Sequence, residues 1–452
     1  MSRRPSRGLR FQPADGRQVR GPVAGQKQQL NIERLAHDGR GIAFVDGRSW
    51  FVSGALPGEQ VRARVLAARS KVVDAIAERI DQASTGRIEP FCPQAGVCGG
   101  CTLQHMPLES QRDFKQQYLA GQLERAGVAV DEWHPPLTGP DRGYRRRTRL
   151  AVRTGKDGSV QLGYRALASQ RIVNVDDCPV LVAELQQLLP ALGEHVRSGL
   201  QQAHAIGHLE LFSGTATALL VRLTRTISDA EQQRWRDFAA SRQIQLWWQV
   251  EGEPCADRED SVLGYRLEEQ GLVIDYRPGD FVQVNGQINQ AMVSRALDWL
   301  DVQPDERVLD LYCGLGNFSL PLAQRAAEVV AVEGVQVMTE RAQATAKRMQ
   351  FTNLHFHARD LSRPLDGAPW AGQTFDKILL DPPRDGAREV VETLGRMQAE
   401  KLVYVSCNPA TLARDAALLV QQGYRLARAC TLDMFSHTGH VEAMTLFVKK
   451  GR

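Results

Sequence analysis

Apolar and polar residues alternate in short runs over residues 27–82, and glycine-containing turns separate the runs. In VRARV, for example, every second side chain is apolar, which is the pattern of a half-buried strand. Closely spaced short strands of this kind are typical of a small barrel of the OB type. We therefore predict a β-barrel domain over residues 27–85, a class of fold that often binds oligonucleotides.

A mixed pattern follows over residues 86–270. Helical periodicity predicts an amphipathic helix near 107–126 and a second helix around 180–200. The stretch 144–180 alternates again and predicts a sheet. Together these elements predict a central domain of the α+β class.

The pattern changes once more at residue 271. Apolar runs such as VLDLYC, AEVVAVEG, FDKILLDPP and KLVYVSCNP are separated by helical stretches. Strands that alternate with helices imply βαβ units and a mostly parallel sheet. We predict a C-terminal α/β domain of the Rossmann-like type over residues 271–452.

Composition narrows the class of protein. Hydrophobic residues make up 43% and charged residues 24%, the proportions of a soluble globular protein. No apolar run approaches the roughly 18 residues of a membrane span. No apolar stretch follows the basic N-terminus, as a secretory signal would require. We therefore expect a cytoplasmic protein, and nothing in the sequence requires an obligate protein partner or more than a monomer.

Positive charge is concentrated in two segments. Residues 1–30 carry seven basic groups against one acid, Asp15, and residues 1–26 are predicted to form a flexible basic arm. A second cluster combines Tyr144 with five arginines, namely Arg142, Arg145, Arg146, Arg147 and Arg149. Strand alternation would place Arg145, Arg147 and Arg149 on one side. Arginine pairs with phosphates and stacks on unpaired bases, so both segments indicate an RNA partner.

The segment DLYCGLGN begins at Asp310, where the first strand of the C-terminal domain should turn into a helix. Gly314 and Gly316 allow a tight turn and close approach of a ligand to the backbone. Further acids close the next three strands: Glu333, Asp360 and Asp381. A nicotinamide site is the natural competitor, but Ser319 replaces the third glycine of GxGxxG. The pattern favours S-adenosylmethionine, which carries no phosphate.

A second apolar strand ends in Ser-Cys407-Asn-Pro, at the same predicted edge of the sheet. Carbon 5 of uracil is a weak nucleophile, and addition of a thiolate at carbon 6 activates it. A separate base must then remove the proton from carbon 5. Glu442 is a candidate base, and His437 and His440 are nearby alternatives between which the residues alone do not decide.

Asp381-Pro-Pro-Arg384 resembles the (N/D)PP(Y/F) loop with which amino-methyltransferases hold a flipped base. Those enzymes need no cysteine, because an exocyclic nitrogen attacks the methyl group. DPPR alone therefore indicates a planar base near the cofactor, and Cys407 adds a carbon nucleophile to that interpretation.

Three cysteines are clustered with the spacing Cx5CxxC, and a fourth precedes a proline; they are Cys92, Cys98, Cys101 and Cys178. Four thiolates suit either a tetrahedral zinc ion or a [4Fe–4S] cluster. A radical S-adenosylmethionine enzyme would need a CxxxCxxC loop, and the spacing here differs. The sequence predicts a metal centre, with the Cys-Pro ending as modest support for iron–sulfur over zinc.

These motifs resemble those of the bacterial 23S ribosomal RNA uracil-5-methyltransferases that carry an iron–sulfur cluster. The resemblance covers nearly the whole chain and is carried by Cx5CxxC with a distant Cys-Pro, FVQVN, DLYCGLGNF, DPPR, SCNP and HVEAM. It implies a TRAM barrel, a cluster-bearing central domain and a class I methyltransferase domain. The target uridine should be flipped out of its stack.

The resemblance also implies a role for individual residues. Cys407 would be the nucleophile and Glu442 the base. The [4Fe–4S] cluster would be bound by Cys92, Cys98, Cys101 and Cys178. The S-adenosylmethionine site would be formed by Gln283, Tyr312, Asn317, Glu333, Asp360 and Asp381. The RNA partner would be 23S ribosomal RNA.

Three alternatives stay open. A uracil-5-methyltransferase of transfer RNA shares SCNP and DPPR, although such relatives usually lack the barrel and the cysteine cluster. A cytosine-5-methyltransferase also uses a cysteine adduct, but normally in a Pro-Cys or Thr-Cys context. The third is a non-catalytic iron–sulfur RNA-binding protein with a degenerate methyltransferase fold, against which the intact SCNP and Glu442 argue.

Overall fold

The computed structural model describes residues 21–363, 365 and 367–450. Most of the predicted basic arm, residues 1–20, lies outside them. The chain divides into two compact units, Met1–Thr85 and Gly86–Arg452. No helix in the described part of the chain has the length and apolarity needed to cross a bilayer.

The first unit is a six-stranded sheet with the order β1-β5-β6-β4-β3-β2. Its strands are β1 (Lys27–Asn31), β2 (Arg34–Leu35), β3 (Gly41–Val45), β4 (Arg48–Ser53), β5 (Gln60–Ala68) and β6 (Val72–Gln82). The alternate residues Val61, Ala63 and Val65 of β5 are fully buried in one core, to which β1, β3, β4 and β6 also contribute. Because β1 also contacts β3, the sheet curls around this core as a small barrel.

The second unit begins with α1 (Leu108–Arg125), β7 (Val130–Trp133), β8 (Arg147–Thr154), β9 (Val160–Arg165), β10 (Ile172–Asn174), α2 (Ala183–Glu194), β11 (Ile206–Phe212), β12 (Ala218–Leu223), α3 (Asp229–Arg242), β13 (Gln245–Gln249) and β14 (Cys255–Ala256). Seven of these strands form a sheet with the order β10-β9-β8-β11-β12-β13-β14. Helices α2 and α3 share its apolar core, which includes Leu189, Leu209 and Trp235. The other face carries polar residues of β8, among them the exposed Arg149 and Arg153.

The chain continues through β15 (Leu263–Leu267), β16 (Leu272–Tyr276), α4 (Gly286–Leu300), β17 (Arg307–Leu311), α5 (Ser319–Ala323), β18 (Glu328–Glu333), α6 (Gln336–Arg348), β19 (Leu354–Ala358), β20 (Lys377–Leu380), α7 (Arg388–Leu394), β21 (Lys401–Ser406), α8 (Pro409–Gln421), β22 (Tyr424–Leu432) and β23 (Glu442–Lys449). An eight-stranded sheet has the order β19-β18-β17-β20-β21-β23-β22-β7. Its first five strands are parallel, as predicted, and β23 runs antiparallel to both neighbours.

Both faces of this sheet are covered, which explains why its strands read as continuous apolar runs. In β21, Val403 and Val405 belong to a core shared with α4 and α5. Leu402 and Tyr404 point to the opposite core, which α1, α7 and α8 complete. The strand is thus held from both sides, and its last residue, Ser406, lies directly before Cys407.

The early strand β7 belongs to this second sheet, where it pairs in parallel with β22, and α1 packs against the same sheet. The predicted limit near residue 270 falls between β15 and β16, which form a two-stranded hairpin. That limit therefore separates the two large sheets along the chain. The exceptions are α1 and β7, which precede the limit in sequence but pack with the C-terminal sheet. Both sheets belong to one compact unit.

Candidate active site

The order of the eight-stranded sheet reverses at its centre. The chain runs from β17 outward through β18 and β19, and then returns to the other side of β17 as β20 and β21. Such a reversal leaves a crevice beyond the carboxyl ends of the two central strands, and ligands of open α/β sheets bind there. The glycine loop follows β17 and Asp381 follows β20, so both predicted elements lie at the reversal point.

The turn predicted after β17 is present. Tyr312, Gly314 and Gly316 all have positive φ, at 63°, 55° and 88°. A Cβ atom on Gly316 would lie 3.3 Å from the side chain of Phe356, so glycine is needed there for both conformation and space. The amide of Gly314 donates to Oε2 of Glu333 at 3.1 Å. This hydrogen bond closes the loop against the end of β18.

Three carboxyls meet at this edge. Asp310 is fully buried, and its Oδ2 accepts a hydrogen bond from Ser319 at 2.5 Å, while Oδ1 has no partner among the described residues. Burial, with smaller contributions from Asp381 and Glu333, raises the pKa of Asp310 to about 8 although the hydrogen bond from Ser319 lowers it. Burial also raises the pKa of Asp381 to about 7, with Glu333 adding to the effect. An edge with this excess of carboxyls favours a cationic ligand.

Asp360 is brought to the same edge but stays exposed. Its Oδ1 accepts hydrogen bonds from the amide and hydroxyl of Ser362, at 3.0 and 2.6 Å. These bonds lower the pKa of Asp360, and the guanidinium of Arg363 lowers it further. The Asp360 carboxylate is therefore ionised and is bonded to its own loop.

Two amides predicted for the cofactor site differ in their surroundings. The side chain of Asn317 exchanges two hydrogen bonds of 2.9 Å with Asn289, and its oxygen also accepts from Tyr265. Gln283 is half-buried, and its main-chain oxygen accepts a hydrogen bond of 2.7 Å from Arg146. Asn317 is thus fixed by the protein, which ties the glycine loop to α4.

The predicted nucleophile borders a cavity of about 370 Å³. Cys407 follows β21 and is half-buried. Arg384, His440 and Glu442 border the same cavity. Ser406 pairs with Ala443 in the β21–β23 ladder, so Cys407 and Glu442 lie at adjacent ends of two antiparallel strands. The sheet therefore brings together a thiol, a carboxyl, an imidazole and a guanidinium.

Glu442 is a buried carboxyl with a strongly perturbed titration. Burial, with a smaller contribution from the charge of Asp381, raises its pKa to about 8. The cations of Lys115 and Arg384 oppose this rise. A general base works best when its pKa is close to the working pH, so Glu442 fits that role better than an exposed glutamate would.

The Cys407 thiol is also shifted toward its neutral form. Burial raises its pKa, and the carboxyls of Glu442 and Asp381 raise it further. The guanidinium of Arg384 acts in the opposite direction. Because the thiolate is the attacking species, a cation close to Cys407 favours its chemistry.

The loop that bears Arg384 is held by the first turn of α8. The side chain of Asn408, which caps α8, donates to the main-chain oxygen of Arg384 at 2.9 Å. Thr411 donates to the same oxygen at 3.1 Å. The fully buried Asp415 accepts a hydrogen bond of 2.8 Å from the amide of Ala387. The DPPR and SCNP motifs thus form one hydrogen-bonded structure.

The two histidines proposed as alternative bases lie in different places. His440 borders the cavity, and its Nδ1 lies 3.0 Å from Nη2 of Arg384. His437 does not border it; its Nδ1 lies 3.3 Å from Nε2 of Gln111 and its Nε2 lies 3.3 Å from Oδ2 of Asp141. Of the three candidate bases, only Glu442 and His440 can reach a ligand in the cavity.

The four clustered cysteines, Cys92, Cys98, Cys101 and Cys178, are free thiols and border the cavity that contains Cys407. Burial raises the pKa of Cys101 to about 11, and the neighbouring cysteines add to the rise. Among the residues described, no group of three or more His, Cys, Asp or Glu side chains is arranged to hold a metal ion. The metal centre therefore stays a prediction.

The arginine cluster serves more than one purpose. Arg145 borders the cavity. Arg146 donates to Gln283 and lies 4.6 Å from the ring centroid of Tyr265, so it is a packing residue. Arg147 and Arg149 lie on the polar face of β8, as the alternation predicted, and both contact the buried Glu210.

Sequence reasoning missed two residues of α1. Lys115 is buried and donates to Oδ1 of Asp433 at 2.8 Å and to the main-chain oxygen of Phe435 at 3.0 Å. Gln111 is fully buried and accepts a hydrogen bond of 2.9 Å from the amide of His437. Both hold the turn that leads to Glu442. The only local signal was that these two polar residues lie four positions apart, in line with the apolar Leu119 and Leu123.

The sheet order, the glycine loop and the acidic edge define a class I methyltransferase fold, here preceded by a small barrel. Two family models match the chain: the TRAM domain at residues 24–77 and tRNA (uracil-5-)-methyltransferase at residues 109–450. The chain belongs to this uracil-5-methyltransferase family.

Bacterial relatives match along nearly their whole length. A protein of Pseudomonas putida is 56% identical over 442 residues, which cover 97% of this chain and 98% of that protein. One of Pseudomonas fluorescens is 55% identical over 443 residues, covering 98% of each. Both are named 23S rRNA (uracil(1939)-C(5))-methyltransferase RlmD.

A solved structure has the same fold. It is the Pyrococcus abyssi tRNA (uracil-54, C5)-methyltransferase in complex with S-adenosyl-L-homocysteine. The TM-score is 0.70 at 24% identity, over 93% of this chain and 100% of that one. At that identity the likeness shows the fold alone.

Proposed function

We propose that this protein transfers a methyl group from S-adenosylmethionine to carbon 5 of a uridine in 23S ribosomal RNA. The observation that carries the proposal is the position of Cys407 and Glu442 at adjacent strand ends on one cavity. Support for the RNA comes from the relatives, which are above half identical and are named as 23S ribosomal RNA methyltransferases.

The acidic edge suits the proposed methyl donor. The charge of Glu333 raises the pKa of both Asp310 and Asp381, so a bound cation would be stabilised at this edge. S-adenosylmethionine has a sulfonium and an ammonium group, and when bound it supplies an electrophilic methyl group. We assign its site to Gln283, Tyr312, Asn317, Glu333, Asp360 and Asp381. Glu333, at the end of β18, would accept the ribose hydroxyls.

The chemistry requires two groups acting in sequence. The thiolate of Cys407 adds to carbon 6 of the uracil, and the electron pair of the 5,6-double bond moves toward the carbonyl as an enolate. Carbon 5 then takes the methyl group as the bond from methyl to sulfur breaks, which leaves S-adenosylhomocysteine, and carbon 5 becomes tetrahedral with its hydrogen still attached. Glu442 removes that proton. The electron pair left behind restores the double bond and expels the Cys407 thiolate.

Arg384 and the uracil would meet in the same cavity. The guanidinium of Arg384 opposes the rise in the pKa of Cys407 and of Glu442, so it favours the ionised, reactive form of each. A uridine reaches this depth only if it leaves its stack. The half-buried Cys407 implies such flipping, because a stacked base could not reach the thiol.

We also propose that Cys92, Cys98, Cys101 and Cys178 hold a [4Fe–4S] cluster. Four free thiols on one cavity are the donor set that such a cluster requires. The amide of Gly100 donates to Sγ of Cys98 at 3.4 Å, a type of hydrogen bond that tunes iron–sulfur centres. We assign the cluster no step in methyl transfer.

The decisive experiment uses 5-fluorouridine in a 23S-derived RNA fragment. Fluorine cannot leave carbon 5 as a proton, so methyl transfer should trap the protein on the RNA as a band on a denaturing gel. The band should require S-adenosylmethionine and disappear in Cys407→Ala. The matched control is Cys255→Ala, which changes an exposed cysteine of β14 and should retain the band.

Other results would favour other functions. Trapping with a transfer RNA fragment and not with the ribosomal one would favour a transfer RNA enzyme, as the description of the family model suggests. RNA binding without any adduct, in protein that still binds S-adenosylmethionine, would favour a non-catalytic RNA-binding protein.

A further inference from the structure

His437 is a residue that the proposed chemistry leaves unused. It lies in the turn 433–441 between β22 and β23, with a positive φ of 64° and only 4% of its surface exposed. Its side chain does not border the cavity, although the turn ends beside His440 and Glu442, which do. A buried, polar residue in a left-handed conformation needs strong local support.

The cysteine segment provides part of that support. The main-chain oxygen of His437 accepts hydrogen bonds of 2.9 Å from the amides of both Thr102 and Leu103, directly after Cys101. The His437 ring packs edge-on against Phe91, directly before Cys92, with 5.0 Å between ring centroids. Both ends of the segment from Cys92 to Cys101 are therefore held at one residue.

Helix α1 and the arginine-rich segment hold the same turn. The side-chain oxygen of Gln111 accepts from the amide of His437 at 2.9 Å, and its nitrogen donates to the main-chain oxygen of Leu103 at 3.0 Å. Tyr144 donates to the main-chain oxygen of Ser436 at 3.1 Å. The turn thus contacts α1 and the arginine-rich segment as well as the residues next to Cys92 and Cys101.

From this arrangement we infer that His437 is a positioning residue: it couples the conformation of the cysteine segment to the placement of Glu442. The inference rests on the proposed function, in which Glu442 is the base. Cys407 is placed differently, since it lies between Ser406, the last residue of β21, and Asn408, the cap of α8. Disturbing His437 should therefore impair proton removal more than addition of the thiolate.

The test replaces His437 by glycine, which accepts the positive φ but removes every side-chain contact. The control is Gln243→Gly, at an exposed residue with a φ of 54° at the end of α3. With ordinary uridine RNA, His437→Gly should accumulate the methylated covalent adduct on a denaturing gel. Its kcat should fall about 10- to 100-fold, the effect of a misplaced catalytic group. S-adenosylmethionine affinity should stay near wild type in both variants.

Two further variants keep the inference testable if His437→Gly does not fold. His437→Asn, which tolerates a positive φ and keeps a polar group toward Gln111, should restore part of the lost kcat. Phe91→Leu, which leaves His437 in place but removes the ring contact, should accumulate a smaller amount of the same adduct. Amide exchange in the turn 433–441 should also increase in Cys101→Ser.

Three outcomes separate the inference from the proposed function. Wild-type kcat and no adduct accumulation in folded His437→Gly or Phe91→Leu would overturn the inference alone. Parallel loss of cofactor affinity, adduct and product would also overturn it, because a general structural role would then suffice. Failure of the wild-type protein to form any adduct with 5-fluorouridine RNA would instead overturn the proposed function, and this inference with it.

Discussion

Glu442 combines burial with a neighbouring carboxyl, and these two features bring its pKa close to the working pH, as a general base requires. Its pKa is raised to about 8, first by burial and then by Asp381. Because this pKa lies close to neutral pH, Glu442 changes between its protonated and ionised forms at a small cost in free energy. The same burial keeps water away from the tetrahedral carbon from which it must take a proton.

Replacement of Glu442 by glutamine should separate the two halves of the reaction. The amide cannot take the proton from carbon 5, so the rate of product formation should fall by about 10²- to 10⁴-fold. Methyl transfer itself should persist, and a methylated RNA–protein adduct should accumulate with ordinary uridine. A denaturing gel with labelled methyl donor measures both. Equal loss of adduct and product would contradict this assignment.

The pH dependence of the reaction should follow Glu442. Its pKa of about 8 means that the carboxyl is protonated below that value and cannot accept a proton. Thus the rate constant for breakdown of the methylated adduct, the step that needs this base, should fall about tenfold per pH unit below pH 8. The raised pKa of Cys407 acts in the same direction, because the thiolate also requires high pH.

A double variant that leaves the net charge unchanged tests which neighbouring charges set the pH dependence of the reaction. Lys115 and Arg384 both lower the pKa of Glu442, and Asp381 raises it. The double variant Lys115→Met with Asp433→Asn removes one cation without leaving its buried partner charged, and should move the profile to higher pH. Lys401→Met, at the opposite end of β21, is the control and should leave it unchanged. An unshifted double variant would exclude Lys115 from the tuning of the base.

Among the structural elements, the glycine loop after β17 combines a left-handed backbone with close packing at Gly316. Gly316→Ala adds a Cβ 3.3 Å from Phe356 at a φ of 88°, so the loop must shift. S-adenosylmethionine affinity should fall about tenfold or more, as an equilibrium binding measurement would detect. Gly25→Ala is matched in φ, at 87°, but has open space around it. It should cost stability alone, and weakened cofactor binding in that control would contradict the argument.

The cysteine segment makes a separate prediction. Cys98→Ser should lower the iron and acid-labile sulfide content of anaerobically purified protein and remove its visible absorption. Cys255→Ala, at the exposed cysteine of β14, should change neither. Full iron content in Cys98→Ser would exclude Cys98 as a ligand. Zinc in place of iron in the wild-type protein would indicate a single zinc ion instead of an iron–sulfur cluster.

Local pattern predicted the elements well and their long-range contacts poorly. Helix α1 was expected at 107–126 and is found at Leu108–Arg125. Its buried positions are Gln111, Lys115, Leu119 and Leu123, so half of its buried stripe is polar. The partner of Lys115 is Asp433, 318 residues away, and no local periodicity can reveal such a pair.

In the candidate site, too, the positions set by local pattern were predicted and the contacts between distant segments were not. Cys407 and the acids were predicted because they end or follow strands, and the carboxyl ends of parallel strands meet at one edge of a sheet. Glu442 begins the antiparallel strand β23, and its choice over the two histidines came from the family resemblance. His437 was a candidate base because of its place in the sequence. Its left-handed backbone and its contacts with Phe91 and Gln111 instead turn it away from the cavity.

At the scale of the whole molecule, arginines lie on the exposed face of the seven-stranded sheet as well as around the cavity that contains Cys407. Arg149 and Arg153 are exposed on the polar face of β8. Arg149→Ala combined with Arg153→Ala should weaken RNA binding at all sequences and reduce its salt dependence by about one unit of slope per lost phosphate contact. Arg258→Ala, at an exposed arginine paired with Asp260, is the control. An unchanged salt slope in the double variant would mean that RNA does not contact this face.

The pairing of β7 with β22 also fixes an order of events during synthesis. The strand at Val130–Trp133 leaves the ribosome long before its partner at Tyr424–Leu432 has been translated. Until then, α1 exposes Leu119 and Leu123, which are fully buried in the finished protein. Native docking of this segment therefore occurs only after most of the chain has been translated, and until then the nascent chain exposes an apolar surface that is prone to aggregation.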